Sequence, residues 1–566
     1  MPSLLLGGLL STSIAALLYS GLKVRQQQYL DLPTVGSATG CPQVDALFPT
    51  RHSALLESLE RIYAEDAFKN NVFERLGGVV RVPTESYDDM KPVGLDERWN
   101  TFKPLHDYFE AAFPLVYASL QVIRVNTYGL VFHWQGSEPE LKPILLAAHQ
   151  DVVPVDNETL SQWVQPPYSG LFDGTWVWGR GSADDKSDLV AQLITIESLL
   201  KSGFKPRRTI VLAYGIDEES QGTEGAGKIA EYLEERFGKN SFALLLDEGD
   251  GYGENVQGGQ IFVSPGVSEK GYFDAKVEVF TKGGHSSVPP KHTSIGILSK
   301  IVSAIEDTLH PPIFSRTSTA FAYVQCAIGH ESNASPALRH LVNRALTDDS
   351  ALLELQDYLL SDDAQPVYAA MLRTTQAVDI IYGGLKANAL PELATAIINH
   401  RVAEQSSLEE VQQHIVDIVA PLASRFNLTL VAFGEDVARD SLNTNRVVLS
   451  DAFNTGLEPS PVTPTSGDNS IAYDLLGGTI KAALTSAKRY NSTGVVVSPS
   501  LGLGNTDTRF YWNLTSQIFR YSHYGDTDDY YNGLHTVNEA VRGEAVVEHI
   551  RFFTMFILNC DEATRL

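Results

Sequence analysis

Acidic and imidazole side chains follow buried strands that the sequence predicts, and both are residue types that bind divalent metal ions. His149 and Asp151 come directly after the apolar run Ile144 to Ala148, which has the length and composition of a strand buried on both faces of a sheet. A neutral imidazole is a good zinc ligand, and a nearby carboxylate can hold its other ring nitrogen. Taken alone this motif is weak, because a histidine with a purely structural role is its more common explanation.

Two later strands end in the same way. Glu218 and Glu219 follow the predicted strand Thr209 to Tyr214, and Asp247 follows the predicted strand Phe242 to Leu246. The carboxyl ends of parallel strands meet at one edge of a sheet, and carboxylates gathered there repel one another unless a cation lies between them. Separate solvated acidic loops would explain one of these motifs but not the set, so the pattern predicts a metal centre.

The elements that must position these residues alternate between strand and helix. This alternation predicts an α/β fold with a mostly parallel sheet. After residue 267 the pattern changes to half-exposed strands and helices, which predicts an inserted α+β lid domain with an antiparallel sheet. The predicted units are a signal anchor or signal peptide at 1–25, a linker or arm at 26–52, the two parts of a catalytic domain at 53–267 and 436–566, and the lid domain at 268–435.

An apolar run, Leu4 to Leu18, stands near the N-terminus and is followed by Lys23 and Arg25. Its length lies between the core of a signal peptide and a minimal membrane span. The flanking positive charges would place the rest of the chain in the cytosol, whereas the glycosylation sequons favour a lumen. These sequons begin at Asn157, Asn333, Asn427, Asn491 and Asn513. We therefore predict a glycoprotein of the secretory pathway, in a vacuolar or lysosome-like lumen or secreted, that contacts a membrane only through this segment.

Composition narrows the remaining classes of function. A chain of 566 residues is too long for a single core. Its net charge of −26 argues against nucleic-acid binding, which needs a basic surface. The three cysteines lack zinc-finger spacing, so a metal site must use histidine and carboxylate ligands. Cys41 could pair with Cys326 or with Cys560 in an oxidising compartment, and the sequence leaves that choice open.

Eight motifs occur in a fixed order along the chain. They are His149-x-Asp151, the glycine-containing stretch 179–186 with Asp184, Asp217-Glu218-Glu219, Asp247-Glu-Gly, Gly284-His285-Ser-Ser, Asn388-Ala-Leu-Pro, Thr506-Asp-Thr-Arg509 and His535. Together they resemble the di-zinc metallopeptidases of the aminoacylase and glutamate-carboxypeptidase family, from about residue 70 to the C-terminus. The stretch 149–155 and the long insert are most similar to the carboxypeptidase S branch of that family.

This resemblance implies two zinc ions per chain, held by five ligands. Asp184 would lie between the ions, with His149 and Asp247 completing one site and Glu219 and His535 completing the other. Each ion then has three protein ligands and an open position for a water shared by both, as catalytic zinc requires.

The resemblance also implies roles for residues that are not ligands. Glu218 would be the general base, and Asp151 would orient His149. His285 and Asn388 would stabilise the oxyanion, and Arg509 would bind the free carboxylate of the substrate.

Simpler explanations remain open for several of these residues. Arg509 could form a surface ion pair, and Asn388 could be a turn residue. The insert is longer than in dimeric family members, in which the oxyanion histidine comes from the partner chain, and residues 314–372 could cover the dimerising edge. Whether His285 acts in its own chain, and the oligomeric state, are therefore open.

The expected activity is that of a zinc-dependent carboxypeptidase, which releases the C-terminal residue of small peptides. An N-acyl-amino-acid hydrolase or synthase is the alternative, because both substrate classes have a free carboxylate for Arg509 to bind. An inactive zinc-binding protein is a third reading, and Glu218 argues against it because a binding protein has no need of a general base.

Overall fold

The structure is a computed structural model that describes residues 40–255, 260–331, 333–362, 364–436, 445–489, 494–526 and 528–566. The predicted signal segment at 1–25, most of the predicted linker and the sequon at Asn491 lie outside the described residues. None of the helices within the described ranges is both long and apolar enough to cross a membrane.

Helices flank the sheets throughout the described chain. They are α1 (Ser53–Tyr63), α2 (Asp66–Val80), α3 (Phe102–Ala112), α4 (Pro114–Ser119), α5 (Lys186–Lys201), α6 (Ala226–Phe237), α7 (Ser294–Asp307), α8 (Thr319–His330), α9 (Pro336–Ala345), α10 (Asp349–Leu359), α11 (Pro366–Leu372), α12 (Leu408–Arg425), α13 (Ile471–Ser486) and α14 (Gly543–Glu562).

The strands of the described chain form two large sheets and three small ones. They are β1 (Gln121–Val125), β2 (Gly129–Trp134), β3 (Ile144–His149), β4 (Leu171–Phe172), β5 (Trp176–Trp178), β6 (Ile210–Gly215), β7 (Leu244–Asp247), β8 (Tyr252–Asn255), β9 (Gln260–Val263), β10 (Gly266–Glu269), β11 (Gly271–Phe280), β12 (Gly284–His285), β13 (Thr375–Gly383), β14 (Ala389–Leu390), β15 (Leu393–Val402), β16 (Thr429–Ala432), β17 (Glu435–Asp436), β18 (Arg446–Asp451), β19 (Gly494–Val497), β20 (Ser500–Gly502), β21 (Ile518–Arg520) and β22 (Ala540–Arg542).

The catalytic domain is built on an eight-stranded sheet in the order β1-β2-β6-β3-β7-β21-β10-β20. Strand β3 lies between β6 and β7 and is parallel to both. All six residues of β3 are buried. Leu146 packs into the core on one face of the sheet and Leu145 into the core on the other, as the alternation of side chains along a strand requires. The predicted α/β class, with a mostly parallel central sheet, is confirmed.

The lid is built on a second sheet, in the order β13-β15-β11-β18-β16-β17, with α7 and α12 packed against it. Its strands pair antiparallel except for β16 with β18. Strand β18 pairs with β11, so the lid extends beyond the boundary at residue 435 that the sequence suggested. The chain returns near Ser460, whose N–H donates to the carbonyl of Glu269 (3.0 Å) beside the outgoing strand.

The helices α8 to α11 form a separate layer within the insert. Their apolar core includes Leu501 of β20, so they lie against the edge of the catalytic sheet. Ile380, Ile381 and Tyr382 of β13, at the edge of the lid sheet, are exposed. Helices α8 to α11, within residues 314–372, therefore leave these side chains at the edge of the lid sheet uncovered.

The arm that precedes α1 is attached to the body of the protein. Cys41 forms a disulfide with Cys326 of α8, whereas Cys560 is a free, buried thiol. Gln43 donates to the carbonyl of Val497 (2.8 Å) and accepts from its N–H (3.0 Å). The choice of disulfide partner that the sequence left open is thus decided by proximity in the fold.

Candidate metal centre

Four of the five predicted ligands lie close together at the carboxyl edge of the catalytic sheet. His149 is the last residue of β3, and Asp184 precedes α5. The carboxylate of Asp184 contacts two imidazoles, with Oδ1 3.1 Å from Nε2 of His149 and Oδ2 3.0 Å from Nε2 of His535. One carboxylate between two histidines is the arrangement expected of a ligand shared by two cations.

His535 reaches the centre from a loop near the C-terminus. Its Nε2 lies 2.9 Å from Oε2 of Glu219, which follows β6. Hydrogen bonds to Asp184 and Glu219 raise the pKa of His535 to about 10. The side chain of His535 is 53% exposed, so the centre opens to solvent beside this residue.

The fifth predicted ligand, Asp247, lies at the end of β7. Among the described residues it forms no ion pair with His149 or His535. Its Oδ1 accepts the N–H of Glu248 (3.0 Å), and its buried Oδ2 has no hydrogen-bond partner in the described part of the chain. Glu248, which the sequence reading left out, places Oε2 3.6 Å from Nε2 of His149. Among the described residues the structure therefore places Glu248, and not the predicted ligand Asp247, next to His149.

These residues fit a pair of divalent cations. Ligand atoms of His149, Asp184 and Glu219 lie within 4.8 Å of one another, and so do those of His149, Asp185 and Glu248. Burial raises the pKa of Glu248 to about 8, which reflects the cost of gathering carboxylates in a dry site. Imidazole and carboxylate ligands without thiolates suit zinc. Asp247 belongs to neither of these two groups of described residues.

Asp151, which we predict to orient His149, lies next to that residue in the structure. Its Oδ1 lies 3.3 Å from Nδ1 of His149. The two carboxylate oxygens also accept the backbone N–H groups of Glu218 (3.2 Å) and Glu219 (3.1 Å). Ser86, which no sequence motif indicated, donates its hydroxyl to Asp151 (2.7 Å). One buried carboxylate therefore fixes both the ligand on β3 and the loop after β6.

Glu218 precedes the predicted ligand Glu219 but belongs to neither group of potential ligands among the described residues. Burial, and then the negative charge of Glu248, raise the pKa of Glu218 well above its usual value. A carboxylate with a raised pKa that is free of metal contacts can accept and return a proton.

Glu539 is a second residue that the sequence reading missed. Its side chain is fully buried, and its Oε1 accepts the N–H groups of Ala183 (3.0 Å) and Asp184 (3.3 Å). Its other oxygen pairs with Arg180. Glu539 follows His535 by four residues, so it connects the loops that carry two of the predicted ligands, Asp184 and His535. The available signal was an acidic residue directly before the apolar strand β22.

Arg509 lies on a short 3₁₀ turn, Asp507–Phe510. Its Nη2 donates to the backbone carbonyl of Gln221, in the loop that carries Glu219. None of the carboxylates in the described ranges forms an ion pair with Arg509, so the geometry does not favour the surface ion-pair explanation. The loop before Arg509 is attached to the lid, because Arg401 of β15 donates a hydrogen bond to Asn505 in that loop (3.2 Å).

His285 and Asn388 are brought together by the small ribbon of β12 and β14 in the lid. His285 pairs with Ala389 across this ribbon, and the N–H of Ser286 donates to the carbonyl of Asn388 (3.2 Å). Both side chains are exposed, and Nδ1 of His285 contacts the hydroxyl of Ser287 (2.8 Å). The structure thus joins the two predicted oxyanion residues to each other, without a contact to the metal centre among the described residues.

Known proteins are similar to this chain in sequence and in fold. Carboxypeptidase S of Saccharomyces cerevisiae is 38% identical over 525 residues, 92% of this chain and 89% of that protein. The N-fatty-acyl-amino acid synthase/hydrolase PM20D1 of Xenopus tropicalis is 32% identical, over 89% of this chain and 88% of that one. The crystal structure of human carnosine dipeptidase 1 is similar in fold, with a TM-score of 0.59 at 14% identity over 91% of this chain and 100% of that chain.

The family model for Peptidase family M20/M25/M40 matches residues 145–559. The match contains every predicted ligand, from His149 on β3 to His535 near the C-terminus. The chain therefore belongs to Peptidase family M20/M25/M40, whose members are dinuclear metallopeptidases.

Proposed function

We propose that this protein is a zinc-dependent carboxypeptidase that hydrolyses the C-terminal peptide bond of small peptides. The observation that carries the proposal is the convergence of His149, Asp184, Glu219 and His535. The adjacent Glu218 belongs to neither group of potential ligands among the described residues. The likeness to carboxypeptidase S over most of both chains supports the same activity.

Two zinc ions bound to these ligands would polarise the scissile carbonyl and make water more acidic. We assign the proton transfer to Glu218. Its carboxylate would take the proton from the attacking water and give it to the leaving amine. The backbone hydrogen bonds from Glu218 and Glu219 to Asp151 hold the base and the adjacent ligand in a fixed relation. A fixed relation matters because proton transfer requires hydrogen-bond distances throughout.

Substrate recognition is assigned to Arg509 and to the lid. Arg509 offers a planar guanidinium to the substrate carboxylate, and bidentate contacts of this kind are both strong and selective. His285 and Asn388 are assigned to the oxyanion, which requires the ribbon that carries them to lie over the metal centre during turnover. His285 pairs with Ala389, the residue next to Asn388, and this proximity supports a joint role.

Hydrolysis or synthesis of N-acyl amino acids is a second candidate. It is favoured by the 32% identity to a protein named for that activity over most of both chains. The two candidates share the metal centre, Glu218 and Arg509, and differ only in the group on the acyl side of the scissile bond.

We further propose that the enzyme works in an oxidising lumen of the secretory pathway, such as a vacuole. The disulfide between Cys41 and Cys326 supports this, because such bonds persist in oxidising compartments. The sequon residues Asn157 and Asn513 are exposed. Treatment with an N-glycosidase should increase gel mobility, and unchanged mobility together with a cytosolic location would refute this compartment.

Matched substitutions of adjacent residues test the proposed chemistry. Glu218→Gln should keep two zinc ions and lose turnover on dipeptide derivatives by at least ~10²-fold, since a positioned base contributes ~10²–10⁴-fold. Glu219→Gln should instead lose affinity for one zinc ion as well as activity. Zinc stoichiometry and kcat are measured for both variants. If Glu218→Gln loses metal and Glu219→Gln keeps it, the two roles are exchanged, and normal turnover in both would place the site elsewhere.

A further inference from the structure

A buried ion pair contacts the turn that carries Arg509. Glu269 is the last residue of β10 and Arg520 the last residue of β21, and both are almost fully buried. Nη2 of Arg520 donates to Oε2 of Glu269 (2.9 Å). Removing two charges from water is costly, and further hydrogen bonds to the pair must offset part of that cost. The residues that supply those hydrogen bonds therefore indicate what the pair holds in place.

Two threonines of the turn supply these hydrogen bonds. Thr506 donates to Oε1 of Glu269 (2.8 Å), and Thr508 donates to Oε2 (2.9 Å). The hydroxyl of Thr508 also accepts from Nη2 (2.7 Å) and Nε (3.2 Å) of Arg520. Thr508 is fully buried, so bulk water does not replace a lost partner there. Arg509 is the next residue in the chain, and the pair thus fixes the backbone that leads directly into it.

The alternate residues of the turn contact the end of β6 and the loop that follows it. A Cβ added at Gly215 or at Gly222 would collide with an oxygen of the Asp507 carboxylate. Arg509 donates to the backbone carbonyl of Gln221. The same loop carries the proposed general base and one predicted ligand. The turn is therefore held on one side by the ion pair and on the other by the catalytic loop.

The ion pair lies at the junction between the catalytic domain and the lid. The N–H of Glu269 donates to the hydroxyl of Ser460 (2.7 Å), where the chain returns from the lid. The carbonyl of Lys270 accepts from Nδ2 of Asn505 (2.6 Å), in the loop before the turn. Strand β11 of the lid begins at Gly271. The position of the turn is thus set at the point where the chain enters the lid.

We propose that Glu269 is a positioning residue for substrate recognition, which holds Arg509 in place for the substrate carboxylate through Thr506 and Thr508. This inference rests on the proposed role of Arg509 and adds the residue that fixes its position. Apolar residues of similar volume can replace a buried ion pair without loss of stability. Here they would leave the two threonine hydroxyls without their carboxylate partner, so the turn explains why a charged pair lies at this junction.

Thr508→Val tests this link with a small change in shape, because valine replaces the hydroxyl with a methyl group. The inhibition constants of leucine and leucinamide are measured against a dipeptide derivative, with the zinc-loaded enzyme. The two inhibitors differ only at the carboxylate, so the preference for leucine reports the contact with Arg509. This preference should fall by roughly three- to tenfold in Thr508→Val, the effect of one lost hydrogen bond. Thr508→Ser keeps the hydroxyl and should restore most of the preference.

Thr479→Val is the matched control. Thr479 is as fully buried as Thr508, and its hydroxyl donates to the carbonyl of Leu475 (2.7 Å) within α13, outside the network around Glu269. This variant should keep the wild-type preference for leucine over leucinamide. Glu269→Gln removes the charge that faces Arg520 and should lower the preference as Thr508→Val does. A wild-type preference in Thr508→Val, or an equal loss of affinity for both inhibitors, would overturn the inference.

A double variant shows whether the effect passes through Arg509. In Thr508→Val/Arg509→Met, kcat/KM on a free-acid dipeptide derivative should be no lower than in Arg509→Met, because the position of an absent guanidinium has no effect. A further loss as large as that of Thr508→Val alone would indicate a general structural role and refute the inference.

Arg509→Met alone separates this inference from the proposed function. If that variant keeps the wild-type preference for leucine over leucinamide, the proposed recognition by Arg509 is wrong and the role of Glu269 falls with it. If the preference falls in Arg509→Met but not in Thr508→Val, only the role of Glu269 is refuted.

Discussion

Replacing Glu539 with alanine should weaken both the fold and the metal centre. Glu539 is fully buried, pairs with Arg180 and accepts the N–H groups of Ala183 and Asp184. Truncation removes the only carboxylate that pairs with Arg180 among the described residues. It also removes the acceptor that fixes the backbone of the proposed shared ligand Asp184.

The size of the effect follows from burial. Arg180 is almost fully buried, and breaking a buried ion pair costs about 3–5 kcal/mol because one charge is left uncompensated. Burial raises the pKa of Glu539 to about 7 despite the presence of Arg180, so part of the attraction is offset and we expect about 3 kcal/mol. That is a large part of the roughly 5–15 kcal/mol that stabilises a typical domain.

Urea unfolding and zinc titration measure the two effects. Loss of a group that positions a ligand typically weakens metal affinity by about 10–100-fold. Glu539→Gln keeps an acceptor for the two N–H groups and should retain more metal affinity than Glu539→Ala.

Glu544→Ala is the control, because its ion pair with Lys69 (2.9 Å) is exposed and is worth at most about 1 kcal/mol. If Glu539→Ala has the same free energy of unfolding and the same zinc affinity as the wild type, the assigned role of Glu539 is wrong.

Three further predictions concern recognition, the arm and pH. Arg509→Met should lower kcat/KM on free acids by roughly 10–100-fold, because a charge-assisted contact contributes about 1.5–3 kcal/mol. The preference for a free acid over its C-terminal amide should also disappear. An undiminished preference would refute the assignment of Arg509 to the substrate carboxylate. Cys41→Ser should lower the free energy of unfolding by about 2–4 kcal/mol and remove the effect of reductant on urea unfolding, whereas a wild type that is insensitive to reductant would contradict this. Burial lowers the pKa of His310 to about 3 and the pKa of His400 to about 4. Below about pH 6.5 the unfolded chain therefore binds protons at these histidines that the folded lid does not bind. The free energy of unfolding should fall by up to about 1.4 kcal/mol per pH unit for each histidine as the pH drops from about 6.5 towards 4. Unfolding curves at pH 5 and pH 7 check this, and His400→Gln should reduce the dependence.

The sequence by itself determined the sheet that positions the metal centre and most of the residues in it. A strand that is apolar on both faces must have both faces covered, and in a parallel sheet the helices on its two sides cover them. Chemistry then concentrates at the carboxyl ends of the strands. His149, Glu219 and Asp247 could be assigned to one edge on this basis. The motif order supplied Asp184 and His535, which lie on loops where periodicity carries no information.

Only the tertiary structure decided which groups touch. Asp247 and Glu248 are adjacent in sequence, and the direction of each side chain at the end of β7 placed Glu248 nearer to His149. The role of Glu539 could not be assigned from the sequence, because its partner Ala183 lies 356 residues earlier in the chain. The same holds for the pairing of Cys41 with Cys326 and for β18, whose partner β11 lies far back in the chain. Local patterns encode which face of an element is buried, whereas contacts between distant segments depend on how the whole chain packs.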